Sequence, residues 1–326
     1  MSNLFSGINA RIRGTPKTGG SSNSSSSATT DIPSKLPDAQ HDANPVPQVS
    51  LPKSSSLTGS IGVASPSLDL SRPLPMWLNP AYTKHIVKGN FMTLSARPKT
   101  VEPGEWIAHQ VVEHYRNLWN FMRIVHENED DGSTICKPST CPKMSAGESL
   151  SYTWLNKNHE PVELPAHEYM TLMQRWISGK IEDATIFPTD PASLAYALHP
   201  DHVNPTVLAL GNQENWLGAR SGFPKQFASI CQLIFRQIFR VYAHLYWDHF
   251  VEPFYHLNLE KHLNSCFSHF ILTATALELL QPSDVEPMQD LINLWAADGT
   301  FPPESRAYSF ADLERGKYIL SLNPIS

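Results

Sequence analysis

The fold is decided by two stretches of the sequence, Ile135-Cys136-Lys-Pro-Ser-Thr-Cys141-Pro142 and Phe239-Arg-Val-Tyr-Ala-His244-Leu-Tyr-Trp-Asp-His249-Phe250. Each stretch contains a pair of metal-binding side chains with four residues between them. Zinc favours four nitrogen and sulfur ligands in a tetrahedron, often supplied as two closely spaced pairs. The spacing therefore predicts a metal ion that ties a proline-containing loop to the end of an apolar helix.

The two pairs also have an interpretation without a metal. Reduced cysteines are often core residues, and a five-residue offset does not place His244 and His249 on the same face of one helix. The spacing alone leaves both interpretations open. If a metal is bound, the four side chains fill every position of a tetrahedron, which predicts a structural and not a catalytic ion. The predicted ligands are Cys136, Cys141, His244 and His249.

The composition divides the chain into three parts. The chain has 326 residues, 41% of them apolar, and a net charge of −6. Residues 1–72 are rich in Ser, Pro, Thr, Asn and Gly and contain the run Ser21-Ser-Asn-Ser-Ser-Ser-Ser. Because such a segment buries too little apolar surface to offset its chain entropy, we predict that it is disordered. Residues 73–298 are dense in aromatic and aliphatic side chains and predict one folded domain, followed by a tail over residues 299–326.

Composition and motifs also exclude several classes of protein. We find no secretory signal, no apolar run of about 18 residues that would span a membrane, and no basic excess that favours nucleic acid. Four cysteines in a chain of this length do not indicate a disulfide scaffold, so we expect the cytoplasm or the nucleus. A hydrolytic metalloenzyme would need an open metal position, and its usual motif His-Glu-x-x-His is absent, as are a phosphate loop and a Gly-x-Ser-x-Gly elbow.

Apolar residues recur at helical spacing through most of the middle part of the chain. The pattern predicts helices over residues 103–126, 166–182, 227–245 and 259–277, and a last helix through Trp295 that opens with a capping box, Ser283-Asp-Val-Glu286. Residues 151–155 and 161–164 predict a short hairpin. Residues 189–222 contain several prolines and glycines and predict a long loop, with a helical turn near residues 191–198. We therefore expect an all-α bundle with a small hairpin and long loops.

These stretches resemble the Mob (Mps-one-binder)/phocein family of protein-kinase activators. The matching motifs cover roughly residues 87–295 and follow one another in the family's order. They are Gly104-Glu-Trp-Ile-Ala, Cys136-x4-Cys141-Pro-x-Met-Ser-Ala-Gly147, Tyr152-x-Trp154, Leu164-Pro-Ala-x-x-Tyr169, Phe187-Pro188, Phe223-Pro-Lys-x-Phe227, Phe239-Arg-Val-Tyr-Ala-His-x4-His249 and His262-Leu-Asn-x-x-Phe-x-His-Phe270. Each motif is weak alone, and together they make the resemblance specific.

The resemblance implies a helical bundle stapled by a structural zinc ion at the two cysteines and two histidines. It also implies a non-catalytic function, which is to bind the helical N-terminal regulatory segment of an NDR/LATS-type serine/threonine kinase and promote its active state, in cell-cycle or cell-polarity signalling. In the family this kinase segment is basic and meets an acidic face of the Mob domain. The positions that match this face are Glu102, Glu105, Trp106 and Glu113.

Two features of the chain depart from the family pattern. Family members can bind phosphorylated peptides through a basic cluster before the histidine pair, and the matching positions here are Arg236, Gln237 and Arg240. Because a phosphate prefers two or three charge-assisted donors, the neutral Gln237 predicts weaker or different phosphopeptide binding. The loop over residues 189–222 is longer than the family norm. It leaves open an alternative function, that of a phocein-like adaptor in a phosphatase–kinase scaffold complex.

Overall fold

A computed structural model describes residues 70, 73–86, 91–126, 134–189 and 216–322 of the chain. In these residues the α-helices are α1 Met92–Ser95, α2 Pro103–His126, α3 Ala166–Glu182, α4 Phe227–Asp248, α5 Glu260–Ala276, α6 Gln289–Ala297, α7 Arg306–Ser309 and α8 Leu313–Leu322. The predicted disorder of residues 1–72 lies outside the described residues, Leu70 excepted, and so does the predicted turn near residues 191–198. None of the helices in the described residues is long and apolar enough to cross a membrane.

Helix α2 begins where the sequence predicts because its first turn is capped from outside. Pro103 occupies the first helical position, where its missing N–H costs nothing. The carboxylate of Glu102 accepts hydrogen bonds from the backbone N–H groups of Gly104 at 2.6 Å and Glu105 at 3.2 Å. The apolar face of α2 is buried. The predicted bounds of α2 and of α3 are both confirmed.

The core lies between α2, α4 and α5. Helix α4 is buried on almost every side of its second half, and its aromatic side chains pack against those of α5. Phe235 and Phe270 stack with their ring centroids 5.2 Å apart. A second aromatic group closes the start of α4, where Phe187 and Phe223 lie against Phe227 with centroid distances of 5.3 and 4.1 Å.

The predicted hairpin is present and small. Strand β1, Trp154–Leu155, pairs antiparallel with β2, Pro161–Val162, and Trp154 lies opposite Val162. These two strands form the sheet of the described residues. The edge of the Trp154 ring packs against Tyr169 of α3, with the centroids 5.4 Å apart. The hairpin is therefore attached to the helical core, as the small sheet of a predominantly helical protein.

The predicted capping box at Ser283 is wrong. Prolines at positions 282 and 287 break the segment into two 3-10 turns, Pro282–Asp284 and Glu286–Met288, and α6 begins only at Gln289. The capping interaction uses a different pair, in which the backbone N–H of Gln281 donates to the Asp284 carboxylate at 2.9 Å. The capping-box pattern considers only the spacing of polar residues. It does not account for the two prolines, which fix φ and lack a backbone N–H.

Beyond α6 the predicted tail contains α7 and α8, and α8 crosses α6 closely. The Asn293 side-chain oxygen accepts a hydrogen bond from the backbone N–H of Asp312 at 2.8 Å. Arg315 forms an ion pair with Asp290. A Cβ atom at Gly316 would lie 2.1 Å from the carbonyl oxygen of Asn293. The crossing therefore requires glycine at position 316.

Gly316→Ala is expected to destabilise the protein, because the methyl group has no space unless α8 moves away from α6. Overpacking of this kind costs about 1–3 kcal/mol, or roughly 2–12 °C in melting temperature for a domain of this size. Gly179→Ala is the matched control, since a Cβ there meets no atom within 4 Å. That variant should gain about 0.5–1 kcal/mol from helix propensity. Calorimetry measures the melting temperatures of both variants. Equal melting temperatures of Gly316→Ala and Gly179→Ala would contradict the close crossing of α6 and α8.

Two buried histidines face each other between α2 and α5. The rings of His114 and His269 lie with their centroids 4.7 Å apart. Among the described residues, neither ring nitrogen of His114 has a hydrogen-bond partner, and Nε2 of His269 has none. Burial lowers the pKa of His114 well below its usual value and that of His269 to about 4. Both imidazoles are therefore neutral in the folded protein near pH 7.

This pair makes stability fall with acidification. Below about pH 6.5 the unfolded chain binds protons that the folded chain excludes, so the stabilisation is complete above that pH and is lost as the pH falls towards 4. Each such histidine contributes about 1.4 kcal/mol of lost stability between pH 7.5 and 5.5. Urea unfolding at both pH values should show a smaller loss for His114→Phe than for the wild type. Other histidines titrate in both proteins, so the test is the difference between the two losses of stability. Equal losses in the wild type and the variant would contradict the conclusion that His114 is neutral in the folded protein.

Candidate functional site

The predicted metal ligands meet at one end of α2. The loop that carries the cysteines is fixed at both sides, because the Cys136 N–H donates to the carbonyl of Val125 at 3.0 Å and the Cys141 carbonyl accepts from the N–H of Ala166 at 3.1 Å. These bonds attach the loop to the last turn of α2 and the first turn of α3. The cysteines are thus held by backbone contacts that are independent of a metal.

The two histidines approach the cysteines from α4. His244 lies within the helix, whereas His249 follows its last residue with φ −128° and ψ 2°. On a regular helix, the five-residue offset would turn the two histidines to different faces. Because the chain departs from helical geometry at His249, this restriction does not apply, and both histidines face the cysteines. The ligand atoms of the four residues all lie within 4.8 Å of one another, and all four side chains are buried. The structure therefore brings together the complete predicted set.

The spacing of the four donors fits a tetrahedral ion. The Sγ atom of Cys136 lies 3.8 Å from Nε2 of His244, and the Sγ atom of Cys141 lies 3.5 Å from Nε2 of His249. Ideal tetrahedral zinc, with its usual bond lengths, places neighbouring sulfur and nitrogen ligands about 3.6 Å apart. Two thiolates would balance the charge of a divalent ion in a buried site. The cluster can therefore hold a metal with four protein ligands.

Two residues that the sequence analysis did not identify orient the cluster. Nδ1 of His244 lies 2.9 Å from the carbonyl oxygen of Ser145 and 3.0 Å from the Asp248 carboxylate. Burial alone lowers the pKa of His244, but hydrogen bonds to Asp248 and Cys141 outweigh it and raise the pKa to about 9. These contacts occupy Nδ1 and direct Nε2 to the sulfur atoms. The signal for Asp248 was its position four residues after His244 on a helix.

The cysteines share one hydrogen-bonded system. Hydrogen bonding to Cys136 lowers the pKa of the Cys141 thiol, and the two histidines add to this effect. The same hydrogen bond and burial raise the pKa of Cys136. A metal requires both sulfur atoms to be deprotonated, so metal binding would release a proton from the cysteine pair.

The residues of the predicted acidic face lie along the first turns of α2. All four are half-buried, and each makes a contact within the protein. The Glu105 carboxylate accepts a hydrogen bond from the buried Ser221 hydroxyl at 2.7 Å, and the Trp106 indole N–H donates to the carbonyl of Ser95 at 3.2 Å. Glu113 accepts from Asn117 at 3.4 Å. Together with Glu102 at the N-terminus, these side chains form a row of carboxylates with restricted mobility.

The two predicted phosphate-binding arginines diverge. Arg236 is partly exposed and lies 3.4 Å from the Asp284 carboxylate. Arg240 is only 5% exposed, donates to the Tyr169 hydroxyl at 3.0 Å and lies over the ring of Tyr152, with its guanidinium carbon 5.1 Å from the centroid. In the described part of the chain, no carboxylate pairs with Arg240. The two side chains therefore do not form a ready-made cluster.

The neighbours of Arg240 include two further unused donors. Gln237 is buried, and its side-chain oxygen accepts a hydrogen bond from the Tyr169 hydroxyl at 2.8 Å. Within the described residues, the Gln237 amide nitrogen and the Tyr152 hydroxyl have no hydrogen-bond partner. A buried guanidinium that has no carboxylate partner, together with two unpaired hydrogen-bond donors, is suited to binding an anion.

Comparison with known proteins agrees with this arrangement. The sequence profile of the Mob1/phocein family matches residues 83–288, which include the four cluster residues and α1 to α5. The chain is 34% identical over 244 residues to the "Maintenance of ploidy protein mob2" of Schizosaccharomyces pombe, covering 74% of this chain and 84% of that protein. It is 35% identical over 214 residues to the "CBK1 kinase activator protein MOB2" of Saccharomyces cerevisiae, covering 66% and 62%. It is 29% identical over 207 residues to the "MOB kinase activator-like 1A" of Medicago sativa subsp. falcata, covering 63% and 80%.

Proposed function

This chain belongs to the Mob1/phocein family, and from that premise we propose that it is a non-catalytic subunit that binds and activates an NDR/LATS-type serine/threonine kinase. The observation that supports the proposal most directly is the row of carboxylates on α2, at the positions where the family resemblance implies a kinase-binding face. The names of its relatives in two yeasts and a plant include "kinase activator" or "mob2". The bound kinase segment would be basic and helical.

The geometry of α2 suits this partner. The carboxylates of Glu102 and Glu105 are held in place by short hydrogen bonds within the fold, so they lose little side-chain entropy when a basic helix approaches. Opposite charges would steer and orient the kinase segment, while the half-buried Trp106 would supply apolar contact area at the centre. The chain would thus act by holding the segment in one conformation, without any reacting group of its own.

The ion that we assign to the cysteine–histidine cluster is zinc, in a structural role. The two sulfur and two nitrogen donors, their burial and their mutual distances support this choice. When bound, zinc would supply a rigid link between the cysteine loop and the end of α4. The contacts of Ser145 and Asp248 hold His244 in the required orientation with or without the ion.

A kinase assay tests the proposed function. The purified full chain is added to an NDR-type kinase, and phosphate transfer to a peptide substrate is measured beside physical association. We expect association and a higher rate of transfer, because the activator holds the regulatory segment in place. Association without any change in the rate of transfer would overturn the activator proposal and favour a phocein-like adaptor.

We further propose that the surroundings of Arg240 bind a phosphorylated peptide of an upstream kinase or scaffold. The buried guanidinium with no carboxylate partner in the described residues and the idle donors of Tyr152 and Gln237 support it. Arg236 would have to leave Asp284 to reach the same phosphate. A phosphothreonine peptide should bind more tightly than its unphosphorylated form, and Arg240→Gln should remove the difference. Equal affinities for the two peptides in the wild type would contradict this site.

A further inference from the structure

The side chain of Trp247 is unusually placed for a large aromatic residue. In the sequence Trp247 stands between His244 and His249, at the end of α4, and it is 39% exposed. Val251, four positions later, is 41% exposed. Tryptophan is the residue most enriched among side chains that dominate binding energy at protein interfaces. An exposed tryptophan beside a structural centre therefore needs an explanation.

Three contacts hold the Trp247 indole in one position. Its N–H donates to the carbonyl oxygen of Pro287 at 3.1 Å. One edge packs against the buried Trp77 ring, with the centroids 5.0 Å apart and the planes at 71°. The six-membered ring covers Gly147, where a Cβ atom would come within 3.1 Å of it. A side chain fixed in this way loses little entropy when a partner covers its exposed part.

The exposed charged groups next to these contacts are mainly acidic. Glu148 follows Gly147, Glu286 precedes Pro287 and Glu252 follows Val251, and all three are exposed. On the same segments the basic groups are the half-buried Lys143 and the exposed His256, and His256 is hydrogen-bonded to Glu252. Carboxylates therefore outnumber basic groups on the segments that contact the indole and on the segment that follows it. Such a rim disfavours an anionic membrane surface and favours a basic protein segment.

This surface is distant from the acidic face of α2. The cluster histidines lie beside the cysteine loop that is bonded to Val125, at the C-terminal end of α2. Glu105 is 20 residues earlier on the same helix, and at 1.5 Å per residue this is about 30 Å. A six-residue peptide, about 20 Å long when fully extended, cannot contact Glu105 and this surface at the same time.

We propose that Trp247 anchors a second protein-binding surface, which accepts a partner segment carrying an apolar side chain flanked by lysine or arginine. The apolar side chain would pack on the exposed part of the indole, and the basic residues would meet Glu148 and Glu286. The metal cluster would position this surface because its two histidines bracket Trp247. The surface is independent of the kinase-binding function proposed for α2.

Calorimetric titration with the peptide Ac-Lys-Arg-Leu-Phe-Arg-Lys-NH2 tests the proposal on the full chain. Two control peptides replace either the Leu-Phe pair by Ser-Ser or the four basic residues by Gln. We expect the first peptide to bind and each control to bind at least about tenfold more weakly, since both halves of the recognition are required. Trp247→Ala, and the double variant Glu148→Lys with Glu286→Lys, should each raise the Kd by about tenfold or more.

Glu113→Lys separates this surface from the α2 face. It should leave the Kd of the peptide unchanged, although it is expected to weaken kinase binding. A peptide that is lost in Glu113→Lys but retained in Trp247→Ala binds to α2, and the proposal is then overturned. The absence of binding to the wild type, or an unchanged Kd in the charge-reversed double variant, overturns it as well. Because Glu148 and Glu286 are exposed, the double variant remains informative even if Trp247→Ala misfolds.

Discussion

Cys141→Ser is expected to abolish metal binding and to lower the melting temperature by roughly 10–20 °C. A serine hydroxyl is a poor zinc ligand at neutral pH, and its introduction leaves a buried thiol and two imidazoles without the ion that would balance them. Structural zinc contributes folding free energy directly, and we take the loss as about 5 kcal/mol. In a domain of this size each kcal/mol corresponds to about 2–4 °C.

The measurement combines metal analysis with calorimetry of the wild type and two variants. The wild type should contain one equivalent of zinc and should lose stability in the presence of a strong chelator. Cys231→Ala is the matched control, because Cys231 is also fully buried but lies outside the cluster. Removing this sulfur should cost only about 1 kcal/mol and leave the zinc content unchanged. A wild type with no zinc, or with a melting temperature that the chelator does not alter, would refute the structural-metal assignment.

Neutralising the acidic face is expected to weaken kinase binding by at least about thirtyfold, since truncating one member of a buried charge pair costs about 2–5 kcal/mol. The clean double variant is Glu105→Gln with Glu113→Lys. Glutamine at position 105 keeps an acceptor for the buried Ser221 hydroxyl, whereas lysine would remove it and disturb the fold. Glu113 has only a long contact with Asn117, so its charge can be reversed at less structural cost.

The matched control for the charge change is Glu304→Lys, because Glu304 is exposed and lies on another segment. It should bind the kinase segment as the wild type does. The wild type should also bind more weakly as the salt concentration rises, because steering by exposed charges is screened. Titration of a purified kinase regulatory segment, with thermal unfolding to verify the fold, provides both results. Equal affinity of the wild type and the double variant would exclude α2 as the kinase-binding face.

The sequence predicted the elements whose limits are local. Helices α2 and α3 were bounded correctly, since Pro103 and Pro165 mark their starts and periodic apolar residues mark their lengths. Helix α8 was missed because it depends on a distant contact, the close approach of Gly316 to the backbone of Asn293. No spacing within residues 313–322 reveals that requirement.

The same distinction applies to the candidate sites. The four cluster residues were identified because two short, equal spacings are visible in the sequence, and the structure brings them together. The orientation of Arg240 was not foreseeable, since it depends on Tyr152 from the hairpin region and Tyr169 from α3. Trp247 was not selected either, because its exposure results from contacts with Gly147 and Pro287 that lie far away in the sequence.

The aromatic group at the start of α4 has a practical consequence for engineering. The rings of Phe187 and Phe223 both rest on Phe227, so these two points of the chain are held together at a single side chain. The closing entropy of the intervening segment grows only by about 0.6 kcal/mol for each doubling of its length. An insertion between Phe187 and Trp216 is therefore expected to cost little loop entropy. Residues 216–222 must stay in place, because Ser221 donates to the Glu105 carboxylate.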